Sequence, residues 1–270
     1  MTNTRTLPIL RCEQDMCKEV QDTVVREQGL RIILGDSGGE ENFAFIRTIP
    51  GEPRPLIFGL LYTTRLISGL NDVLRLTVEN QLAKVRVTDT CELHQKLERL
   101  RPTMRLVTGV CGPEEGALGT WQACDLPPIE SSYTVEAGGI RRAIQSLNAN
   151  MEIYRVTGGT HGAALAKFDG SLRVLAEDVG RHNAVDRVIG KGLEANLDLA
   201  SLMLVCTGRL TSDLVLKAAV ARIPLLASIS AAVDSGVELA DAAGISLVGF
   251  VRGSRMNVYT HPNRLTMHAT

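Results

Sequence analysis

The second half of the chain alternates short apolar runs with amphipathic stretches, and this alternation limits the possible folds more than any other feature. The runs "LASLMLVCTG", "PLLASIS" and "SLVGFVRG" have the length of strands, and the helix-like stretches "TSDLVLKAAVAR" and "AVDSGVELADAAG" separate them. Strands and helices that alternate in this way need crossover connections. We therefore expect an α/β domain with a largely parallel sheet that helices cover on both faces.

The segments just upstream continue this pattern. "GGIRRAIQSLNANMEIYRV" is predicted to be helical, and so is "RHNAVDRVIGKGL", which places Ala184, Val185, Val188 and Ile189 on one face. "GAALAKF" and "SLRVLAED" flank Asp169-Gly170, a dipeptide that indicates a hairpin because both turn positions tolerate a positive φ.

The first half of the chain has a different character. Short β-like runs, "GLRIIL", "NFAFIRTIP" and "DVLRLTV", are separated by turn residues, and "PLIFGLLYTTRLISGL" is apolar enough for a buried helix. A Gly-, Pro- and Ser-rich segment then indicates a long loop. We divide the chain into a β-rich N-terminal subdomain at 1–107, a mobile cysteine-bearing loop at 108–135 and an α/β domain at 136–270.

Charge and cysteine content exclude several classes of protein. With 29 basic and 30 acidic side chains the net charge is −1, which gives no support to nucleic-acid or membrane binding. No apolar run is long enough to span a bilayer and "MTNTRTLPIL" lacks a leader pattern, so we expect a cytoplasmic protein. The six cysteines contain no C-x-x-C pair, and we expect most of their thiols to be reduced, with Cys91 and Cys206 in the core.

Four polar segments follow or precede the predicted strands. They are "TGGTHG", "EDVGRHN", "TGRLTSD" and "GFVRGSRMNVYTHP". Ligands of α/β sheets bind beyond the carboxyl ends of the strands, and the first turn of a helix attracts anions. We therefore expect these segments to converge on a large, phosphate-bearing ligand. The candidate residues are Thr157, Gly158, Gly159, His161, Arg181, His182, Arg209, Arg252 and Arg255, with Asn257 and His261 further along.

Each segment also has a purely structural interpretation. Thr211 or Ser212 can cap a helix, and His182 can pair with Asp186 one turn further on. His161 taken alone is more typical of a hydrogen-bonded structural histidine, and the two arginines of "FVRGSR" can be solvated surface charges.

Cys111 lies in "RLVTGVCGPEEGALG", where the glycines and the proline prevent regular structure. A core thiol has branched apolar neighbours, whereas this thiol is predicted at the tip of a loop. The residues alone leave open what a single thiol does at the tip of an acidic, glycine-rich loop. Glu114 and Glu115 disfavour a thiolate there, because carboxylates nearby raise the pKa of a thiol.

The motifs "TGGTHGAAL", "EDVGRHNAVDRVIG", "GRLTSDLVLKAAVARIPLLASISA" and "VELADAAGISLVGFVRGSRMNVYTHPNRL" resemble the formate dehydrogenase accessory family, the FdhD-type sulfurtransferases. The resemblance covers most of residues 155–265, and "FAFIRTIPGEPRPLIFGLLYTTRLISGLNDV" is similar more loosely. It implies a cytidine-deaminase-like three-layer α/β/α domain with a smaller β-rich N-terminal domain.

The resemblance also implies a function. Such proteins accept sulfur from a cysteine desulfurase as a persulfide. They pass it to the bis(molybdopterin guanine dinucleotide) cofactor of formate dehydrogenase, a molybdenum or tungsten cofactor that is bound as substrate, and they hold no tight metal of their own. A homodimer is also implied. The segment that matches the family's cofactor-binding stretch comprises Phe250, Val251, Arg252, Gly253, Ser254 and Arg255.

One departure from the family concerns the sulfur carrier. The family loop commonly reads C-G-x-C-G, whereas "TGVCGPEEG" has one cysteine. Cys111 aligns either with the first family cysteine, which places Glu114 at the second, or with the second, which places Thr108 at the first. The resemblance makes Cys111 the catalytic candidate, and Cys124 lies near enough in sequence to be considered.

The sequence bears on three other functions. A zinc-dependent deaminase is rejected because "GRHNAVD" and "TGRLTSD" lack the cysteine pair that its metal requires. A chaperone that binds the cofactor without moving sulfur remains open because the second loop cysteine is missing. A redox switch between Cys111 and Cys124 is a weaker possibility.

Overall fold

The computed structural model describes residues 3–104, 126–130 and 132–266. Cys111 and Cys124, and with them the predicted carrier, lie outside the described residues. Among the described residues, no helix is both long and apolar enough to cross a membrane.

The N-terminal half contains two separate sheets. A two-stranded ribbon of β1 (Thr4–Glu13) and β2 (Met16–Val25), which the sequence did not predict, precedes a four-stranded sheet of order β4-β3-β6-β5. The strands of this sheet are β3 (Gln28–Asp36), β4 (Gly39–Thr48), β5 (Val73–Glu79) and β6 (Leu82–Val87), and helices α1 (Pro53–Thr63) and α2 (Leu93–Met104) accompany them.

Helix α1 is shorter than its apolar sequence predicted. The helix ends at Thr63 because the chain turns at Arg65, where φ is 61°. The amide N–H groups of Leu66 and Ile67 then donate to the Leu61 carbonyl, and both side chains pack into the core of this half. The apolar residues after the helix therefore fill the core as a turn.

The second half is built around a six-stranded sheet of order β13-β12-β11-β10-β8-β9. Its elements in chain order are α3 (Ala137–Asn150), α4 (Glu152–Thr157), β8 (His161–Ala166), β9 (Leu172–Asp178), α5 (Arg181–Glu194), β10 (Met203–Cys206), α6 (Ser212–Val220), β11 (Leu225–Ser228), α7 (Asp234–Ala242), β12 (Ser246–Arg252) and β13 (Arg255–Val258). A short parallel pair, β7 (Val135–Glu136) with β14 (Leu265–Thr266), lies apart from this sheet. The helix predicted across "GGIRRAIQSLNANMEIYRV" is thus two helices, α3 and α4, which separate at Met151.

The sheet is mixed, so the prediction of a largely parallel sheet was wrong for its outer strands. Only β10, β11 and β12 run parallel to one another. Tight turns at Gly170 (φ 96°) and Gly253 (φ 57°) join β8 to β9 and β12 to β13, and such turns make antiparallel neighbours. The third antiparallel pair is β8 with β10.

Helices cover both faces of this sheet, as predicted. Side chains alternate along β10: Leu204 and Cys206 pack with α5 and α6 on one face, whereas Met203 and Val205 pack with α3 on the other. The sheet is therefore the middle of three layers.

The two halves meet where α1 lies against α5. A Cβ atom on Gly59 would lie 1.7 Å from the Asp186 carbonyl oxygen, and one on Gly190 would lie 1.8 Å from that of Pro55. The missing side chains let the two helix backbones touch, which fixes the position of α5 and of the residues at its first turn.

Candidate functional site

The polar segments predicted from sequence lie at one end of the six-stranded sheet. Because β8 runs antiparallel to β10, its first residue, His161, lies beside the carboxyl end of β10 at Thr207. Helix α5 begins at Arg181, with two residues between it and β9, and α6 begins at Ser212, shortly after β10. The segments thus meet at one end of the sheet, although the strands that they follow or precede run in different directions.

A cleft of about 320 Å³ opens at this end of the sheet. The imidazole Nδ1 of His161 lies 3.1 Å from Thr207 Oγ1, which also accepts the amide N–H of Gly162. Burial, together with the charge of Arg181, lowers the pKa of His161, so its ring is neutral at neutral pH. The cleft is lined by His161, Thr207, Gly158, Gly159, Tyr154 and Ile229, among others.

Thr157 shapes the entrance to the cleft rather than facing it. Its hydroxyl donates to the Ile153 carbonyl at 2.8 Å and accepts the amide N–H of Gly159 at 3.1 Å. Gly158 ends α4 with a φ of 66°, a conformation that suits glycine. These contacts hold the two glycines in place at the wall of the cleft.

His182, in the first turn of α5, is partly buried, and its Nε2 atom is shielded from solvent. Burial, with added repulsion from Lys217, Arg181, His161 and Arg209, lowers its pKa to about 3. Its Nε2 atom has no hydrogen-bond partner among the described residues. The alternative in which His182 pairs with Asp186 is wrong, because Asp186 accepts Lys217 Nζ at 2.7 and 2.9 Å and Thr63 Oγ1 at 2.7 Å.

The start of α6 shows the same shortage of partners. Thr211 occupies the N-cap position without a side-chain cap bond, so the capping alternative is not what its hydroxyl does. Thr211 Oγ1 and Ser212 Oγ are buried and lack a hydrogen-bond partner in the described parts of the chain. Buried hydroxyls are normally paired, and unpaired ones cost stability. The α5 start, where Lys217, Arg181 and Arg209 act on His182, therefore favours an anion. The α6 start adds two unused hydroxyls, and its first turn also carries Asp213.

The β12–β13 hairpin contacts Ile229, one of the residues that line the cleft. Arg252 Nε donates to the Ile229 carbonyl at 2.8 Å, its guanidinium lies 5.4 Å from the centre of the Phe250 ring, and Phe250 itself has a φ of 50°. Gly253 and Ser254 form the turn, and Arg255 is exposed. Val251 is only 3% exposed and packs in the core, so its side chain faces away from any ligand.

Two residues of the last polar segment do not join this group. Residues 255–258 form a strand, which the sequence had assigned to a loop, and this strand returns toward the opposite end of the sheet. Asn257 therefore pairs with Gly249, and His261 Nε2 lies 3.3 Å from the Asp241 carbonyl oxygen.

Two buried ion pairs beside the site were missed by sequence reasoning. Arg187, 2% exposed, donates to Asp178 Oδ2 and Thr48 Oγ1, both at 2.8 Å, and to the Glu52 carbonyl at 2.6 Å. The Lys217–Asp186 pair reaches Thr63 in the same way. The sequence pattern gave no signal of these pairs, because Asp186 and Arg187 lie off the predicted apolar face of this helix, where charged residues are ordinarily solvated.

The described cysteines are all either bonded or buried. Cys12 and Cys17 form a disulfide across the β1–β2 ribbon, a pairing that the sequence analysis did not predict. Cys91 and Cys206 are in the core, as predicted, and burial raises the pKa of Cys206 to about 11. Among the described residues, therefore, no cysteine is an accessible free thiol.

Comparison with known proteins gives a consistent result. A sequence model described as the FdhD/NarQ family matches residues 25–266. A Sulfolobus acidocaldarius protein named sulfur carrier protein FdhD is 34% identical over 250 residues, with 92% of each chain covered. A Nocardia farcinica protein of the same name is 36% identical over 253 residues, covering 91% of this chain and 88% of its own.

A solved structure has the same fold. A formate dehydrogenase accessory protein from Desulfotalea psychrophila superimposes with a TM-score of 0.76 at 24% sequence identity, covering 98% of this chain and 100% of its own. At that identity the match concerns the mixed α/β architecture.

Proposed function

The chain belongs to the FdhD/NarQ family, and from this we propose that it is a sulfur carrier that serves formate dehydrogenase. In this proposal Cys111 accepts sulfur from a cysteine desulfurase as a persulfide. The sulfur then passes to the bis(molybdopterin guanine dinucleotide) cofactor, which binds this chain as a substrate. The protein is a cytoplasmic sulfurtransferase and a homodimer with a cytidine-deaminase-like second domain.

The observation that carries the proposal is the convergence of buried, partnerless polar groups with arginines at one end of the six-stranded sheet. His182 Nε2, Thr211 Oγ1 and Ser212 Oγ lie at two helix starts, beside Arg181 and Arg209. A guanine dinucleotide presents diphosphate oxygens, which suit helix N–H groups and guanidinium groups. A small neutral ligand would make poor use of this set.

The β12–β13 hairpin supplies a second group of contacts for this substrate. The Arg252 guanidinium contacts the Ile229 carbonyl and the Phe250 ring. Arg255, its cross-strand partner in the hairpin, is exposed. Replacing both arginines with alanine is expected to weaken the binding of GDP, a fragment of the cofactor, by about 2–5 kcal/mol. Calorimetric titration measures this change, and an unchanged affinity would move the phosphate contacts to the α5 and α6 starts.

Sulfur transfer needs a thiolate. The Cys111 thiolate attacks the outer sulfur of the donor persulfide, the sulfur–sulfur bond breaks and the donor cysteine leaves as a thiolate. The outer sulfur is then a persulfide on Cys111. The state of the described cysteines supports the choice of Cys111, because Cys91 and Cys206 are buried and the other two are already joined.

Mass spectrometry after incubation with a desulfurase and free cysteine tests the assignment. We expect one added sulfur atom on Cys111 and none on the Cys111→Ala variant, which should also fail to activate formate dehydrogenase. Cys206→Ala is the matched control, because it should lower stability but still acquire sulfur. Wild-type protein that activates the dehydrogenase without acquiring sulfur would identify the alternative, a chaperone that binds the cofactor only.

A further inference from the structure

The four-stranded N-terminal sheet has one face in the core and one face open to solvent. Leu30, Ile32 and Leu34 of β3 point into the core, so Arg31 and Ile33 between them point outward. The strand register places outward residues of the other strands beside them. We call this surface the open sheet face, and its outward residues are Gly29, Arg31, Ile33, Gly35, Glu40, Asn42, Phe45, Arg47, Arg75, Thr77, Glu79, Leu82, Lys84 and Arg86.

The open sheet face is basic, although the whole chain is not. Five of its side chains are cationic (Arg31, Arg47, Arg75, Lys84, Arg86) and two are carboxylates (Glu40, Glu79), whereas the chain carries 29 basic and 30 acidic residues. One carboxylate is used internally, because Glu40 Oε2 lies 3.0 Å from Lys84 Nζ. The open sheet face therefore carries a net positive charge, in contrast to the chain as a whole.

An exposed aromatic ring lies among these charges. Phe45 is 43% exposed, and its ring covers Gly29, where a Cβ atom would lie 2.4 Å from Phe45 Cζ. The Arg47 guanidinium lies 5.4 Å from the ring centre, and Arg31 is the residue paired with Phe45 across the strands. Arginine and aromatic side chains are enriched at the centres of protein interfaces.

The open sheet face continues to the candidate site. The Arg47 carbonyl accepts Nδ2 of Asn183, which follows His182 in the first turn of α5, at 2.6 Å. Thr48, the next residue of β4, donates to Asp178 at the end of β9. A protein that sits on this face therefore has its edge next to the helix start where the substrate is proposed to bind.

We propose that the open sheet face docks an acidic surface of the recipient dehydrogenase. The inference rests on the proposed function, because the recipient must collect its cofactor from a site at the α5 start, which this face adjoins. Charge complementarity across such a surface accelerates encounter and selects the partner, and salt weakens it.

Binding of the purified full-length chain to purified formate dehydrogenase, followed by biolayer interferometry, tests this. We expect Arg31→Glu with Arg47→Glu to raise Kd at least about tenfold and Phe45→Ala to raise it about fivefold or more. Lysine at both positions should keep Kd within about threefold, because the charge is retained. Lys167→Glu with Arg173→Glu, on the exposed β8–β9 hairpin, is the control on a different surface and should leave Kd unchanged. GDP affinity should stay at the wild-type value in every variant.

The outcomes separate this proposal from the function on which it rests. Wild-type chain that binds the dehydrogenase while the charge-reversed variant binds equally well overturns the docking face and leaves the sulfur relay intact. Wild-type chain that does not bind the dehydrogenase at all contradicts the relay itself. Loss of binding only to the desulfurase, or only to single-stranded RNA, would assign the face to that occupant and overturn the recipient.

Discussion

Helix α5 has a first turn and a second turn with opposite hydrogen-bonding states. In the second turn, Arg187 makes four hydrogen bonds, to Asp178, Thr48 and the carbonyl oxygens of Gly51 and Glu52. Asp186 accepts three, from Lys217 and Thr63. In the first turn, His182 as a whole is only partly buried, but its Nε2 atom is buried and has no such bond among the described residues.

The difference separates structure from function within one helix. Buried polar groups with several partners join the two halves of the molecule, and every partner belongs to the chain itself. Buried polar groups without partners carry a cost that folding alone does not explain, so they are expected where a ligand supplies the missing bonds. Gly59 and Gly190 hold the helix against α1 and thereby fix both turns.

The largest expected effect follows from breaking the hydrogen bonds of the second turn of α5. Arg187→Met removes the cation and leaves Asp178 ionised in the interior, which should lower the free energy of unfolding by about 3–5 kcal/mol. Urea denaturation measures this loss. Adding Asp178→Asn to the same variant should recover part of it, because the buried charge is then gone. A loss below about 1 kcal/mol in the single variant would show that the pair does not join the halves.

Loss of the contact between α1 and α5 is expected to have the next largest effect on stability. Gly59→Ala places a methyl group against the Asp186 carbonyl, and we expect a loss of about 3 kcal/mol because two backbones must separate. Gly69→Ala is the matched control: nothing lies within 4 Å of its Cβ position and its backbone is extended. That control should change stability by less than about 0.5 kcal/mol. Equal effects in the two variants would mean that α1 does not fix α5 as described.

The pH dependence of stability tests the partnerless turn. Burial lowers the pKa of His182 from 6.5 to about 3, so the unfolded chain binds a proton more readily between these values. This contribution to stability is complete above pH 6.5 and is lost as the pH falls. From pH 6.5 to about 4.5 the wild type should lose about 2 kcal/mol more than His182→Gln. Parallel stability profiles for the two proteins would show that the imidazole is not held neutral.

Local signals predicted some of these features, and long-range contacts account for those that were missed. Asp169-Gly170 and the start of α5 at Arg181 were predicted because turn and helix chemistry is read from neighbouring residues. The direction and the register of β8 depend on its pairing with β10, and the residues of β8 alone do not indicate them. The β1–β2 ribbon was missed because neither of its faces is buried, so its strands lack the alternation that reveals a half-buried strand.

The candidate site was likewise predicted where local sequence decides and missed where long-range contacts decide. Its polar segments were found because each stands at a strand end, but the sequence could not show which side chains have partners. Asp186 lies one turn from His182 in sequence, yet Lys217 and Thr63, 31 and 123 residues away, bind it instead. The state of His182 depends on that competition.

The smallest expected change in stability gives the most direct test of the claim that the partnerless hydroxyls await a ligand. Ser212→Ala and Ser228→Ala are compared by urea denaturation and by calorimetric titration with GDP. Ser228 Oγ donates to the Gly208 carbonyl and accepts the Ser230 amide, so its loss should cost about 1–2 kcal/mol. Ser212→Ala should change stability by less than about 0.5 kcal/mol and weaken GDP binding about three- to tenfold. A Ser212→Ala protein that is as destabilised as Ser228→Ala and binds GDP like the wild type would contradict the account.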